Sequence, residues 1–242
     1  MFCTCYLVST SILFRRCRGF GYSSIAKISM SNNNKEPSLP ATVDFYCLRC
    51  LYKDSIEQQQ LGKEPWKSHK EYIEKTPSVA LGGSLLDKND REVGRLYLLQ
   101  SQQQENISQW IQQDPLHSIW SDVNVTIFKR VKPFPVTWPT TPIFVVYCLD
   151  DPNNKSIRVE HRPQHRGWWQ NESRVVTVGP MAAAFSQDDS LIGSLFFVTG
   201  ESVDEVQQWA NQDPYAKAGL FQQVKVYQWK CLVTKETNKA NS

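Results

Sequence analysis

The chain has 242 residues and an ordinary globular composition, with 40% hydrophobic and 21% charged residues. Five of its 27 Lys and Arg residues lie in the first 35 positions, which hold no acidic residue, so the remaining 207 residues carry 22 basic and 24 acidic side chains. A body so close to neutral lacks the basic footprint that phosphate backbones require, and we expect no nucleic-acid partner.

Residues 1–40 are predicted to be an organelle transit peptide, with a disordered leader as the alternative. The stretch has scattered Arg and many Ser, and its only apolar run, Tyr6–Phe14, precedes the arginines, the reverse of a secretory signal. That run is also shorter than the roughly 20 residues of a membrane-spanning helix. We expect a location in a mitochondrion or plastid, otherwise in the cytoplasm, and no membrane partner.

The first apolar run of the body, Phe45–Tyr52, is predicted to be a strand. It contains Cys47 and Cys50 at the C-x-x-C spacing of metal and redox sites, but residues three apart on a strand point to opposite faces. No second Cys or His pair follows at a suitable spacing. We therefore expect no metal here, and free thiols in a body too large to need disulfides.

An internal repeat organises the rest of the chain. Residues 94–115 and 193–214 run in register at an offset of 99, so that GRLYLLQ aligns with GSLFFVT, and WIQQDP aligns with WANQDP. The repeat predicts two modules, residues 41–131 and 143–231. A proline-rich linker, residues 132–142, joins them, and a polar tail, residues 232–242, follows.

The spacing of apolar residues in the second module predicts strands and helices in the order βαββαβ. The capping box Ser202-x-x-Glu205 marks the start of its second helix, which is predicted to end near Asp213-Pro214. Asp150-Asp151, after the first strand, is interpreted as a solvated turn. The predicted elements are a strand at 143–149, a helix at 164–171, strands at 174–186 and 191–199 around a turn at 187–190, the second helix, and a strand at 223–230.

This order is typical of the ferredoxin-like split, an antiparallel sheet with both helices on one face. The strands LIGSLFFV and VGRLYLL are apolar at nearly every position, so both faces of each sheet should be covered. We predict an α+β fold in which two βαββαβ modules pack sheet to sheet as an intramolecular dimeric α/β barrel. The protein should be a monomer with an internal pseudo-dimer.

Several motifs of the second module resemble the YCII-related family. The resemblance covers most of residues 143–231 and residues 43–131 more loosely, and it implies the same barrel fold. The motifs are Arg162-Pro163-x-His165, Gly179-Pro180, IGSLFFV from Ile192, Asp213-Pro214-Tyr215-x-x-Ala218-Gly219-Leu220-Phe221 and Val224-x-Val226-x-x-Trp229.

The resemblance also implies a catalytic pocket centred on His165 and Asp213, with Arg162 one helical turn before the histidine. A carboxylate can fix the tautomer of an imidazole and leave it to exchange a proton near neutral pH. Tyr215 and Trp168 are predicted to contact the substrate. The neighbouring Trp169 is the alternative lining residue, since one of the two tryptophans should belong to the core. The alternative is structural, because an Asp before Pro often only ends a helix and a histidine can simply pack.

The first module carries His69 and Asp114 at the matching positions, a second and degenerate site. Trp66 stands where the second module has its arginine, Gly83 is aligned with the proline of the Gly-Pro motif, and Leu116 replaces the tyrosine. These departures predict that ligand binds only in the second module.

Two classes of function fit these residues. One is a YCII-like small-molecule enzyme, a lyase or isomerase without a cofactor, whose His165 moves a proton on a substrate with an anionic group. The alternative is a non-catalytic module that binds a small ligand or another protein through the same cleft.

Overall fold

The computed structural model describes residues 44–53, 62–100, 104–186 and 190–235. The predicted leader, residues 187–189 of the predicted turn at 187–190, and residues 236–242 of the predicted tail lie outside these residues. Among the helices in the described ranges, none is long and apolar enough to span a membrane.

The first module has the predicted order βαββαβ. Its β1 contains the C-x-x-C motif, as predicted. The elements are β1 (Asp44–Tyr52), α1 (Glu64–Lys75), β2 (Val79–Leu86), β3 (Glu92–Leu99), α2 (Gln104–Gln113) and β4 (Trp120–Lys129).

The second module repeats this order with each helical region divided in two. The elements are β5 (Ile143–Asp150), α3 (Lys155–Glu160), α4 (Arg162–Gln170), β6 (Val175–Ala183), β7 (Leu191–Thr199), α5 (Val203–Ala210), α6 (Pro214–Lys217) and β8 (Phe221–Thr234). Ser202 caps α5 by accepting a hydrogen bond from the Glu205 amide at 3.1 Å, as its motif indicates. Pro214 starts a further helix because proline suits a first turn. The last strand is longer than predicted at both ends.

The eight strands form a closed antiparallel barrel in the order β1-β3-β2-β8-β5-β7-β6-β4. Each module therefore supplies a four-stranded ferredoxin-like sheet, and the predicted fold class is confirmed. The structure adds that the sheets are joined edge to edge, through β2 with β8 and through β4 with β6. Such closure leaves neither sheet with an open edge.

The barrel interior is one apolar core shared by both modules, and each sheet packs its outer face against its own helices. Cys47 belongs to the interior and Cys50 to the helix side of the first module, so the two thiols point in opposite directions. Burial raises the pKa of Cys47 to about 12 and that of Cys50 well above its usual range. Neither thiol has the thiolate character of a redox or metal-binding cysteine.

The linker between the modules covers part of the barrel interior. Phe134 and Trp138 pack against the interior core, with the ring of Trp138 5.5 Å from that of Trp229. Before them, Val131 and Lys132 run beside β6. The linker is thus bound to the second module at both of these places.

Candidate active site

His165 and Asp213, which lie 48 positions apart, meet on the helix side of the second sheet. His165 is on α4, Asp213 precedes α6, and Nδ1 of the histidine is 2.8 Å from Oδ1 of the carboxylate. The two residues are 7% and 2% exposed. An ionised carboxylate only accepts, so Nδ1 donates and the lone pair of a neutral ring lies on Nε2. Within the described residues, Nε2 has no hydrogen-bond partner.

The position of Asp213 is explained by local structure. Its Oδ1 also accepts a hydrogen bond from the Tyr215 amide at 2.9 Å, which caps the first turn of α6. The aspartate before the proline is therefore both a helix cap and the partner of His165. The structural and functional readings of this residue are compatible.

Tyr215 supports the imidazole from the side. Its ring stacks on that of His165 with a centroid distance of 3.9 Å and an interplanar angle of 19°, and its hydroxyl donates to the Arg158 carbonyl at 2.9 Å. Burial raises the pKa of Tyr215, and the guanidinium groups of Arg158 and Arg162 partly oppose that rise. Tyr215 is thus a neutral phenol that orients the histidine ring.

A cavity of about 210 Å³ opens beside His165. One part of its lining is polar, formed by Arg158, Arg162, His165, Arg166 and Ser194. The larger part is apolar, with Val131, Trp169, Val178, Pro180 and Leu191 among its residues. A concave, mainly apolar space with a few convergent polar groups is typical of small-molecule sites.

The charges around this cavity are unequal. Arg158 makes a two-pronged pair with Asp150 at 2.5 and 2.6 Å and donates to Ser194 Oγ at 3.3 Å. Among the described residues, Arg162 and Arg166 have no ion-pair partner. The lining carries three guanidinium groups, while Asp150 pairs with Arg158 and Asp213 with His165, so these five groups leave one net positive charge when His165 is neutral.

Two assignments made from the sequence need correction. Asp150 is not a solvated turn residue: it ends β5, is 8% exposed and holds Arg158. Trp168 does not line the cavity, since its ring stacks on that of Trp209 at 4.5 Å, and Trp169 lines the cavity instead. The first module packs in the same way, since Tyr72, which the repeat aligns with Trp168, lies against Trp110 of the next helix.

Sequence reasoning missed Arg158 and Ser194 as residues of the site. Nothing around Arg158 resembles a motif, and its role depends on α3, a helix that was not predicted. Ser194 lies in an apolar strand, where a serine carries no signal by itself. The repeat offered one indication, since it aligns Ser194 with Arg95.

The first module makes the same histidine–carboxylate contact but leaves no nitrogen free. His69 Nδ1 lies 2.6 Å from Asp114 Oδ1, and His69 Nε2 lies 2.7 Å from the Tyr97 hydroxyl. The histidine is 0% exposed. Tyr97 occupies the position that Phe196 has in the second module. The surroundings of the two histidines therefore differ by one phenol oxygen, which Tyr97 has and Phe196 lacks.

The first module also differs at the position of Ser194. Arg95, at the position of Ser194, is buried, bonds the Tyr52 hydroxyl at 2.9 Å and Glu92 at 3.0 Å, and lies over the ring of Trp66. Arg95, on a strand, thus supplies a guanidinium group in the first module, where the second module has that of Arg158, on a helix.

The alignment of the Gly-Pro motif between the modules is also corrected. Gly83 is opposite Leu96 as Gly179 is opposite Leu195, so Ser84, not Gly83, stands at the position of Pro180. The first module departs from the motif at that residue.

The fold and the site define the class of this molecule, a dimeric α/β-barrel protein whose two halves are in one chain. The family model of the YCII-related domain matches residues 143–230. Protein YciI of Escherichia coli O6:H1 is 34% identical over 94 residues, with 36% of this chain and 96% of YciI covered. The chain belongs to the YCII-related family.

Two solved structures are also similar. The 5-chloro-2-hydroxyhydroquinone dehydrochlorinase TftG of Burkholderia phenoliruptrix, in complex with 2,5-dihydroxybenzoquinone, is 31% identical, with 36% of this chain and 93% of TftG covered and a TM-score of 0.33. A mutant chlorite dismutase from Candidatus Nitrospira defluvii is 12% identical, with 79% of this chain and 93% of that chain covered and a TM-score of 0.55. The second likeness extends over both modules and concerns the fold.

Proposed function

We propose that the cavity beside His165 binds a small molecule with one anionic group, and that His165 moves a proton to or from it without a cofactor. One observation carries this proposal. Nδ1 of His165 is held by Asp213 at 2.8 Å, while Nε2 has no partner among the described residues. The ring borders a cavity with two arginines, Arg162 and Arg166, that make no ion pair within those residues.

Each neighbouring residue would have a defined role in this chemistry. Asp213 fixes the tautomer, so that Nε2 presents its lone pair to the ligand. Arg162 and Arg166 would hold the anionic group through charge-assisted hydrogen bonds, each worth about 1.5–3 kcal/mol. Tyr215 keeps the ring in place by stacking.

The reaction class follows from these roles. Nε2 can remove a proton from a carbon next to a carbonyl or carboxylate group, and the electron pair left behind is stabilised as an enolate by the guanidinium groups. If the imidazolium returns the proton to another atom, the reaction is an isomerisation. If the enolate instead expels a group from the neighbouring carbon, it is an elimination, and the proton leaves with the group or with water.

The site in the first module would not share this function. His69 has a partner on each nitrogen, and Arg95, bonded to Tyr52 and Glu92, stands where the second module has Ser194. We therefore propose one ligand site per chain, with His69 and Asp114 as structural residues.

The test starts with the ligand. The full chain would be purified as wild type, as His165→Ala and as Arg162→Met, and small molecules retained under native conditions would be identified by mass spectrometry. His161→Ala is the matched control, because His161 directly precedes α4 but does not line the cavity.

Calorimetry and turnover assays with the identified anion then separate the alternatives. We expect one site per chain, binding about tenfold weaker or more in the Arg162 variant, and turnover lost in the His165 variant but kept in the His161 variant. Binding without turnover in the wild type would favour the non-catalytic alternative. Two equivalent sites, or unchanged binding in Arg162→Met and His165→Ala, would contradict the proposal.

A further inference from the structure

We propose that the first module sets the size of ligand that the second module accepts, through Val131, which forms a wall of the cavity beside His165. The inference rests on the proposed function, because it assigns a specificity role at that same site. Val131 follows β4 of the first module and yet lines the cavity of the second.

Hydrogen bonds hold this wall against β6. The amides of Val131 and Lys132 both donate to the Val178 carbonyl, at 2.9 and 3.1 Å. Thr177 Oγ1 donates to the Lys132 carbonyl at 2.6 Å, and Lys132 Nζ donates to the Val175 carbonyl. The segment is therefore a fixed part of the site and not a loose connection.

The two sheets are joined along two seams, one between β4 and β6 and the other between β2 and β8. The strand pairing of the β4–β6 seam is interrupted beside the cavity. Its ladder has three pairs and ends with Phe128 opposite Met181. A Cβ at Gly179 would lie 2.2 Å from the Lys129 carbonyl oxygen, so only glycine permits this approach. Pro180 has no amide hydrogen to offer to a neighbouring strand. The chain leaves the ladder here and returns at Val131, and both Gly179 and Pro180 line the cavity.

The other seam, between β2 and β8, has a register shift between Gly82 and Gly83, but its ladder continues on both sides of that shift. Ser84, at the position of Pro180, is paired with Lys230, and Gly83 is paired with Cys231. The two seams therefore differ at the residues that border the two histidines. The interrupted seam is the one beside His165, whose Nε2 has no partner among the described residues.

These observations give the first module a role in the site although its own histidine is closed. The side chain at position 131 contributes to the apolar lining of the cavity. In an apolar pocket a change of one methylene alters discrimination between ligands by about tenfold or more. A single-module relative would need a second protomer to supply such a wall.

Acylation of His165 tests the wall without knowledge of the ligand. Diethyl pyrocarbonate and the bulkier di-tert-butyl dicarbonate acylate unprotonated imidazole nitrogen, and peptide mass spectrometry gives the rate at His165 relative to His161. The full chain would carry Val131→Trp or Val131→Ala. The matched controls are Val136→Trp and Val136→Ala, because Val136 lies in the same linker and is 97% exposed.

We expect Val131→Trp to slow acylation of His165 about tenfold or more with both reagents. Val131→Ala should speed it, with the larger gain for the bulkier reagent, while the Val136 variants match the wild type. Equal rates in Val131→Ala and Val136→Ala, with unchanged circular dichroism, would overturn the proposal even if the tryptophan variant fails to fold. Loss of the proposed function would appear instead as unchanged ligand binding in His165→Ala, which this experiment does not involve.

Discussion

Tyr97 of the first module and Phe196 of the second occupy the same position and differ by one hydroxyl. Removing this hydroxyl from the first module and adding it to the second should have opposite effects. In Tyr97→Phe, His69 keeps Asp114 but loses the partner of Nε2 at a site with 0% exposure. Because a buried polar atom left without a partner costs about 1–3 kcal/mol, the free energy of unfolding should fall by that amount. The ring itself remains, so little cavity cost is added.

Phe196→Tyr is the reverse exchange. The ring of Phe196 lies 5.9 Å from that of His165, the same centroid distance as between Tyr97 and His69. The new hydroxyl should therefore reach Nε2 of His165 and donate to it. Stability should stay constant or rise by about 0.5–1.5 kcal/mol, and the nitrogen proposed to act on the ligand should be blocked.

Urea unfolding of the full chain measures both changes, with equal m values required so that the midpoints report stability. Acylation of His165 by diethyl pyrocarbonate reports whether Nε2 is blocked, with His161 as reference. The reasoning would be refuted if Tyr97→Phe cost less than about 0.5 kcal/mol. It would also be refuted if Phe196→Tyr left the reactivity of His165 unchanged.

Three further outcomes are expected. Arg158→Met should lower stability by about 3–5 kcal/mol in thermal or urea unfolding, because the Asp150 carboxylate is left buried without its partner; adding Asp150→Asn should restore most of the loss. Gly179→Ala should cost about 1–3 kcal/mol, whereas Gly167→Ala, in the open on α4, should gain about 0.5–1 kcal/mol; equal effects would contradict the close approach at the seam. Residues 1–40 should carry a fused fluorescent protein into a mitochondrion or plastid, and diffuse cytoplasmic fluorescence would refute that prediction.

Much of the architecture follows from the sequence alone. The repeat at an offset of 99, the βαββαβ order and strands that are apolar on both faces together require two modules that cover each other. These signals are local and periodic, so they do not depend on where distant parts of the chain lie. The C-x-x-C motif could likewise be assigned to opposite faces from strand geometry.

Which residues form the site, and how they contact one another, was decided by tertiary structure. The sequence indicated His165 and Asp213, but the 2.8 Å contact depends on how α4 packs beside the turn before α6. Asp150 was misread as a turn residue and Arg158 gave no signal, because their pairing joins the end of a strand to a helix that follows an unpredicted turn. Whether a tryptophan of α4 faces the cavity or packs against the next helix depends on the rotation of the helix. Side-chain direction and long-range contacts are set by packing across elements, which sequence periodicity does not contain.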